Sequence, residues 1–313
     1  MLKIALLGCG WHSINHHAPA LARFSEEHPD TISVTACDVD ESRARACRKA
    51  CRFSACSTSP SALLDVRFDA VVAVLPAPLL RETAEAWLAR GIPILLEKPL
   101  GGSYQEACQI AELSGARGQV TVSLNRRFDP GLDRAIDWAA DLSPARFIHG
   151  SMLRVNRTEE DFLWSTSIHL LDAMCYVAGP LEITPDTTRT IDSPGGCGRA
   201  SLLEGRNGLR GSVEILPACG RIEERIELSG TGWHVRVWTG TSHPWRVEAY
   251  QAGKLVLEES ASADEPEFIR NGTYRETCLF LDAVLNNRPA PEPWPADALP
   301  GTALAHQLQA VDR

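Results

Sequence analysis

The residues best placed to do chemistry in this 313-residue chain cluster in three short stretches. The first is Gly8-Cys9-Gly10-Trp11-His12-Ser13, directly after the apolar run Lys3 to Leu7. Glycine at positions 8 and 10 permits a tight strand-to-helix turn, and it lets backbone N–H groups approach a pyrophosphate at the helix start. Ser13 stands where a third glycine is usual. Asp38 follows at the end of a second apolar run, where a carboxylate can accept hydrogen bonds from both ribose hydroxyls and would repel a 2′-phosphate, so NAD is expected over NADP. An ordinary turn glycine pair and a strand-end aspartate are the plainer readings of the same residues.

The second stretch is Ile94-Leu95-Leu96-Glu97-Lys98-Pro99-Leu100, an apolar run ending on a charged pair and a proline. A lysine at the C-terminal end of a parallel strand stands in the crevice where open α/β sheets bind ligands. Beside a cofactor its ammonium can give a proton to a substrate oxygen or nitrogen; the plain alternative is a solvated loop lysine. The third is Trp164-Ser165-Thr166-Ser167-Ile168-His169-Leu170-Leu171-Asp172. His169 suits proton transfer near neutral pH, although a lone histidine in an apolar run is also an ordinary core residue. Asp172, at i+3, is expected to orient the ring or to cap the surface, and Trp164 to wall a pocket.

Two further groups suggest metals. His12, His16 and His17 contain an i,i+4 pair, but no carboxylate or Cys cluster lies near them in sequence and the segment overlaps the nucleotide loop, so no metal is expected. Cys47, Cys51 and Cys56 are read as helix packing.

Positioning these groups requires a parallel sheet. Apolar runs at Lys3 to Leu7, Ile32 to Cys37, Ala70 to Leu75, Ile94 to Leu96 and Gln119 to Val122 alternate with helical patterns at Ala18 to Glu27, Glu41 to Cys51, Leu79 to Arg90 and Tyr104 to Gly115. The first domain is therefore expected over 1–124. The second, over 125–313, opens with a helix from Pro130 to about Ala140. Short alternating runs follow at Phe147 to Val155, Arg199 to Leu203, Leu209 to Ile215, Arg221 to Leu228, His234 to Trp238, Trp245 to Tyr250 and Leu255 to Glu259. The dipeptides Asn207-Gly208, Ser229-Gly230 and Ala252-Gly253 predict antiparallel turns. Helices at Phe162 to Val177, Phe268 to Leu285 and Ala303 to Val311 are expected to cover one sheet face. The other face, expected to be apolar, would be left for self-association as a homodimer or homotetramer.

Composition narrows the partners. With 44% hydrophobic and 23% charged residues the chain reads as globular, and a net charge of -9 without Lys/Arg clusters argues against nucleic acid. The apolar N-terminus is too short for a signal peptide or a membrane span, and ten cysteines show no disulfide framework, so a cytoplasmic location and a small-molecule ligand are expected.

Taken together, Gly8-Cys9-Gly10, Asp69-Ala70-Val71-Val72 running into Pro76, Glu97-Lys98-Pro99, Asn125-Arg126-Arg127-Phe128-Asp129-Pro130 and the Ser165 to Asp172 pattern resemble the Gfo/Idh/MocA oxidoreductases over nearly the whole chain. The resemblance implies an α/β fold: a Rossmann doubly wound sheet followed by an α+β domain with an open-faced, mainly antiparallel sheet. It implies hydride transfer to or from sugars, cyclitols, related alcohols or imines. On that pattern Gly8, Cys9, Gly10, Trp11, His12, Asp38, Leu75, Pro76, Glu97, Lys98 and Asn125 would hold the cofactor. Lys98, Asn125, Trp164, Ser165 and His169 would meet substrate, with Lys98 and His169 catalytic.

The chain departs from the family where an aspartate usually stands four residues before the histidine; here it is Ser165. Ser167 replaces a usual glycine, and Pro76-Ala77-Pro78-Leu79-Leu80 lacks a frequent histidine. A serine hydroxyl is no base near neutral pH, so the proton chemistry falls to Lys98 and His169, and reduction of a ketone or imine is favoured over alcohol oxidation. Redox-neutral elimination or epimerisation on a retained NAD, or dinucleotide binding without catalysis, are the alternatives.

Overall fold

The computed structural model describes residues 1–115, 118–193, 196–241 and 243–310. They fall into two compact units, 1–123 with 273–299 and 124–272 with 300–310.

The first unit holds a parallel sheet of β1 (Leu2–Leu7), β2 (Ile32–Cys37), β3 (Ala55–Ser57), β4 (Ala70–Ala73), β5 (Ile94–Glu97) and β6 (Val120–Ser123), in the order β3-β2-β1-β4-β5-β6. This is the doubly wound order whose ligand crevice lies at the strand C-termini, where the order reverses beside β1. The central strands are apolar on both faces, with Ile4, Leu6, Ala70, Ile94 and Leu95 wholly buried, as a sheet covered on both sides requires. Helices Ala18–Glu27, Glu41–Ala50, Leu80–Leu88 and Tyr104–Leu113 supply that cover. From the chain's late part, helix Thr273–Leu285 inserts Phe280 and Leu281 among Ile4, Leu21 and Phe24. Side-chain caps set the helix starts: Asp40 accepts from the Ser42 and Arg43 N–H groups, and Ser103 from that of Glu106. Strand β3, three residues without periodicity, was not legible in sequence.

The second unit contains β7 (Ala145–Leu153), β8 (Leu181–Ile183), β9 (Arg189–Ser193), β10 (Gly196–Gly205), β11 (Arg210–Leu216), β12 (Glu223–Gly230), β13 (Trp233–Trp238), β14 (Arg246–Gln251) and β15 (Lys254–Ser260). They pair in the order β15-β14-β13-β12-β7-β11-β10-β8, with β9 on β10. Only β7 and β11 run parallel. Asn207-Gly208 and Ala252-Gly253 make their turns with positive φ at both residues. Ser229-Gly230 does not; these residues end β12 across a register shift, and the reversal falls on Thr231-Gly232. Helix Pro130–Ala139 begins on the cap Asp129, and Ile168–Ala178 is a separate helix from Phe162–Ser165, broken at Thr166-Ser167 where a single helix was expected. Likewise Glu267–Arg270 and Thr273–Leu285 are two helices. The last helix runs Pro295–Ala310, longer than expected at its start; Val311, its expected end, lies outside the described residues.

The sheet alternates cleanly. Ile148, Val213, Ile226, Val235 and Val247 turn to the helix-covered side and are buried. On the other side a polar row crosses the strands: Ser212 beside His149, Glu227, Arg236 and Glu248 in register. Arg236 pairs with Glu227 at 3.1 Å and His149 Nδ1 lies 2.8 Å from Ser212 Oγ. The expected apolar open face is therefore a charged one; period-2 alternation puts the polar residues of every strand on that side.

Candidate functional site

Gly8 is the hinge of the first loop. Its φ is +89°, and a Cβ there would lie 2.1 Å from the Val74 carbonyl oxygen, so only glycine fits between β1 and the end of β4. Gly10 differs: a Cβ would meet nothing within 4 Å. Its surface opens on a cavity of about 580 Å³ lined by Gly8, Gly10, Asp38, Arg43, Leu75 and Pro76, among others. That is room for the adenosine half of a dinucleotide, with a backbone bare enough for a pyrophosphate to approach. Asp38 has a structural duty as well. Its Oδ2 accepts the Cys9 N–H at 2.8 Å and its Oδ1 accepts the Asp40 N–H at 2.9 Å, so it ties the glycine loop to the end of β2. An ionised carboxylate has about four acceptor positions, which leaves capacity for ribose hydroxyls. Cys9 is fully buried, and Trp11 is 74% exposed.

Glu97, the last residue of β5, is the electrostatic centre of this unit. Its Oε1 lies 2.7 Å from His17 Nε2 and 3.0 Å from His12 Nε2, and its Oε2 accepts the Lys98 N–H at 3.0 Å. Burial alone would push this carboxyl up, but the charges and hydrogen bonds of His12 and His17 prevail and hold it well below the usual carboxylate range. Lys98 follows, half-buried, before a cis Lys98-Pro99 bond.

Sequence reading set His17 beside His12 and His16 but not on Glu97, because helical counting pairs His12 with His16. A π-helical turn over Ser13–His17 changes the count. In a regular α-helix, residues five apart point roughly 140° from each other; the wider turn brings them much closer to one face.

In the second unit Asn125 is buried, and its Oδ1 accepts from Arg126 at 3.2 Å. Arg126 and Arg154 both hold Glu224, which burial would push up but which the two guanidiniums bring down to about 2. Trp164 is buried, while Ser165 and His169 are half-buried. Arg127 grips the Asp172 carboxylate with two bonds of 2.8 Å. The break at Thr166-Ser167 separates Ser165 from the helix that carries His169, so the two do not share a regular helical face.

Residues 2–125 match the family model for the Gfo/Idh/MocA oxidoreductases with an NAD-binding Rossmann fold. Over these residues the chain is similar to the Gfo/Idh/MocA oxidoreductases. Inositol 2-dehydrogenase 4 of Saccharopolyspora erythraea is 28% identical over 295 residues, 84% of this chain and 85% of that protein. Inositol 2-dehydrogenase 2 of the same organism is 26% identical over 73% of this chain and 71% of its own length. The crystal structure of a dehydrogenase from Clostridium difficile shares the fold with a TM-score of 0.81 at 17% identity, over 98% of both chains. The chain is accordingly an NAD(P)-dependent oxidoreductase. Among its described residues no helix is long and apolar enough to cross a membrane.

Proposed function

We propose that this protein interconverts a carbonyl or imine carbon and the corresponding alcohol or amine of a small polar substrate, sugar-like or cyclitol-like, with NAD preferred over NADP and Lys98 as the proton donor. The observation that carries the reading is the placement of Lys98 just past the C-terminal end of β5, on the same edge of the parallel sheet as the Gly8–Gly10 loop and the Asp38 cavity. Gly10's bare backbone and the room beside it fit the dinucleotide. The two inositol 2-dehydrogenases support the substrate class.

When bound, the nicotinamide supplies or accepts the hydride. The chain's own residues do the rest. Gly8 and Gly10 shape the phosphate cradle, Asp38 holds the loop and accepts from ribose hydroxyls, and Leu75 and Pro76 wall the cavity. Glu97, kept ionised, accepts hydrogen bonds from bound hydroxyls, and Lys98 gives its ammonium proton to the substrate heteroatom as negative charge develops there. His169 is the second proton-transferring group, and Asn125, Trp164 and Ser165 meet substrate. Because Ser165 cannot act as a base near neutral pH, the reductive direction is favoured.

Oxidation of NADH and of NADPH by a panel of inososes and keto sugars tests this reading. Faster turnover with NADH than with NADPH is expected. Isomerised or dehydrated product with no net nucleotide change would instead establish redox-neutral chemistry on a retained cofactor.

A further inference from the structure

Two imidazoles aimed at one carboxylate oxygen form more than a means of orienting Glu97. Among the described residues His12, His17 and Glu97 are the single group whose ligand atoms all lie within 4.8 Å of one another. His17 and Glu97 side chains are 1% and 6% exposed, whereas that of His12 is 40% exposed, so the cluster is closed on two sides and open on the third. Two buried polar atoms at the same turn, Ser13 Oγ and His17 Nδ1, have no hydrogen-bond partner among the described residues. Buried polar groups left in that state point to an unseen water or ion.

From this geometry we infer that the dinucleotide-free protein binds a divalent transition ion of zinc's class through His12 Nε2, His17 Nε2 and Glu97 Oε1. Two nitrogens and one carboxylate oxygen are a donor set that zinc accepts, with a fourth position left to solvent. In a tetrahedral site with bonds of about 2.0–2.2 Å, neighbouring ligand atoms stand roughly 3.4 Å apart. The 3.0 Å spacing to His12 needs to open by about 0.4 Å, which the half-exposed His12 can supply, and the 2.7 Å spacing to His17 by about 0.7 Å, a small rotation of the buried His17 or Glu97 side chain. The Lys98 N–H fixes the far oxygen of Glu97 and so sets the direction of the near one, the second-layer contact that metal-binding carboxylates use. The π-helical turn is what builds the site, because without it His12 and His17 would face apart.

Cobalt(II) titration of the chelator-treated protein, freed of nucleotide, tests the inference through the visible absorption of the ion. One equivalent should bind with the intense bands of a four-coordinate site. The near-ultraviolet thiolate-to-cobalt band that any of the ten free cysteines would add should be absent. Zinc should displace the cobalt. His12→Gln, at the exposed member of the trio, should keep the far-ultraviolet circular dichroism and weaken zinc binding at least about tenfold by calorimetry. Glu97→Gln should weaken it as well. A six-coordinate spectrum, a thiolate band, or zinc affinity unchanged in His12→Gln would overturn the site.

Discussion

Gly8 and Gly10 are two residues apart, yet alanine should have opposite consequences at each. At Gly8 the backbone is held at φ +89°, which costs an L-residue about 1–3 kcal/mol. The added Cβ would also lie 2.1 Å from Val74 O, and relieving such overpacking costs about 1–3 kcal/mol more. Val74 cannot retreat freely, since its own N–H is bonded to Leu7 O at 2.8 Å. Gly8→Ala should therefore lose about 2–6 kcal/mol, a fall in melting temperature on the order of 10 °C. At Gly10 a Cβ meets open space, so the fold should change by less than about 1 kcal/mol. The methyl would instead stand where the pyrophosphate must approach, weakening NADH by roughly ten- to a hundredfold, about 1.4–2.7 kcal/mol. Thermal melts and NADH titration of both variants provide the assay. Unchanged NADH affinity in Gly10→Ala would refute the phosphate cradle, and an unchanged melting temperature in Gly8→Ala would refute the packing argument.

Three further outcomes follow from the second unit. Glu224→Gln should destabilise the protein by about 3–5 kcal/mol in urea, because it leaves the buried guanidiniums of Arg126 and Arg154 uncompensated; a loss under about 1 kcal/mol would contradict the pairing. Burial raises the Asp129 carboxyl from 3.8 to about 6 against the hydrogen bonds of Gly240, Leu132 and Gly131 and the charge of Arg126. Its protonated form is therefore favoured by folding: this contribution is fully present below about pH 4 and is lost as pH rises through about 6, by up to about 3 kcal/mol. Urea melts across that window should show the slope in the wild type and a flatter one in Asp129→Asn; parallel slopes would count against it. Light scattering should find a homodimer or homotetramer that dissociates as salt rises, if the charged open face is what meets a second copy; a monomer at micromolar concentration in low salt would exclude this.

The sequence was most informative where periodicity and local turn chemistry act alone. The parallel strands and the glycine loop could be read from apolar runs and two glycines, and Pro130 announced its helix. What escaped depends on distant partners or on a departure from regular geometry. Nothing near Glu97 in sequence marks His17, eighty residues away, and the π-helical turn that aligns His12 with it has no compositional signature. Arg127 was read only as part of a motif, although it holds the Asp172 carboxylate with two bonds of 2.8 Å. The apolar open face failed for another reason: strand alternation specifies one buried side, and the mistake lay in assigning apolar character to the second.

The central claim is that Lys98 is the proton donor in nucleotide-dependent reduction. Its most direct test is to measure NADH affinity and single-turnover nucleotide oxidation together in Lys98→Met, with a substrate that the wild type reduces. The account predicts NADH affinity within about twofold of wild type and a chemical step slowed by about a hundredfold or more. A chemical step that survives Lys98→Met unchanged would contradict it.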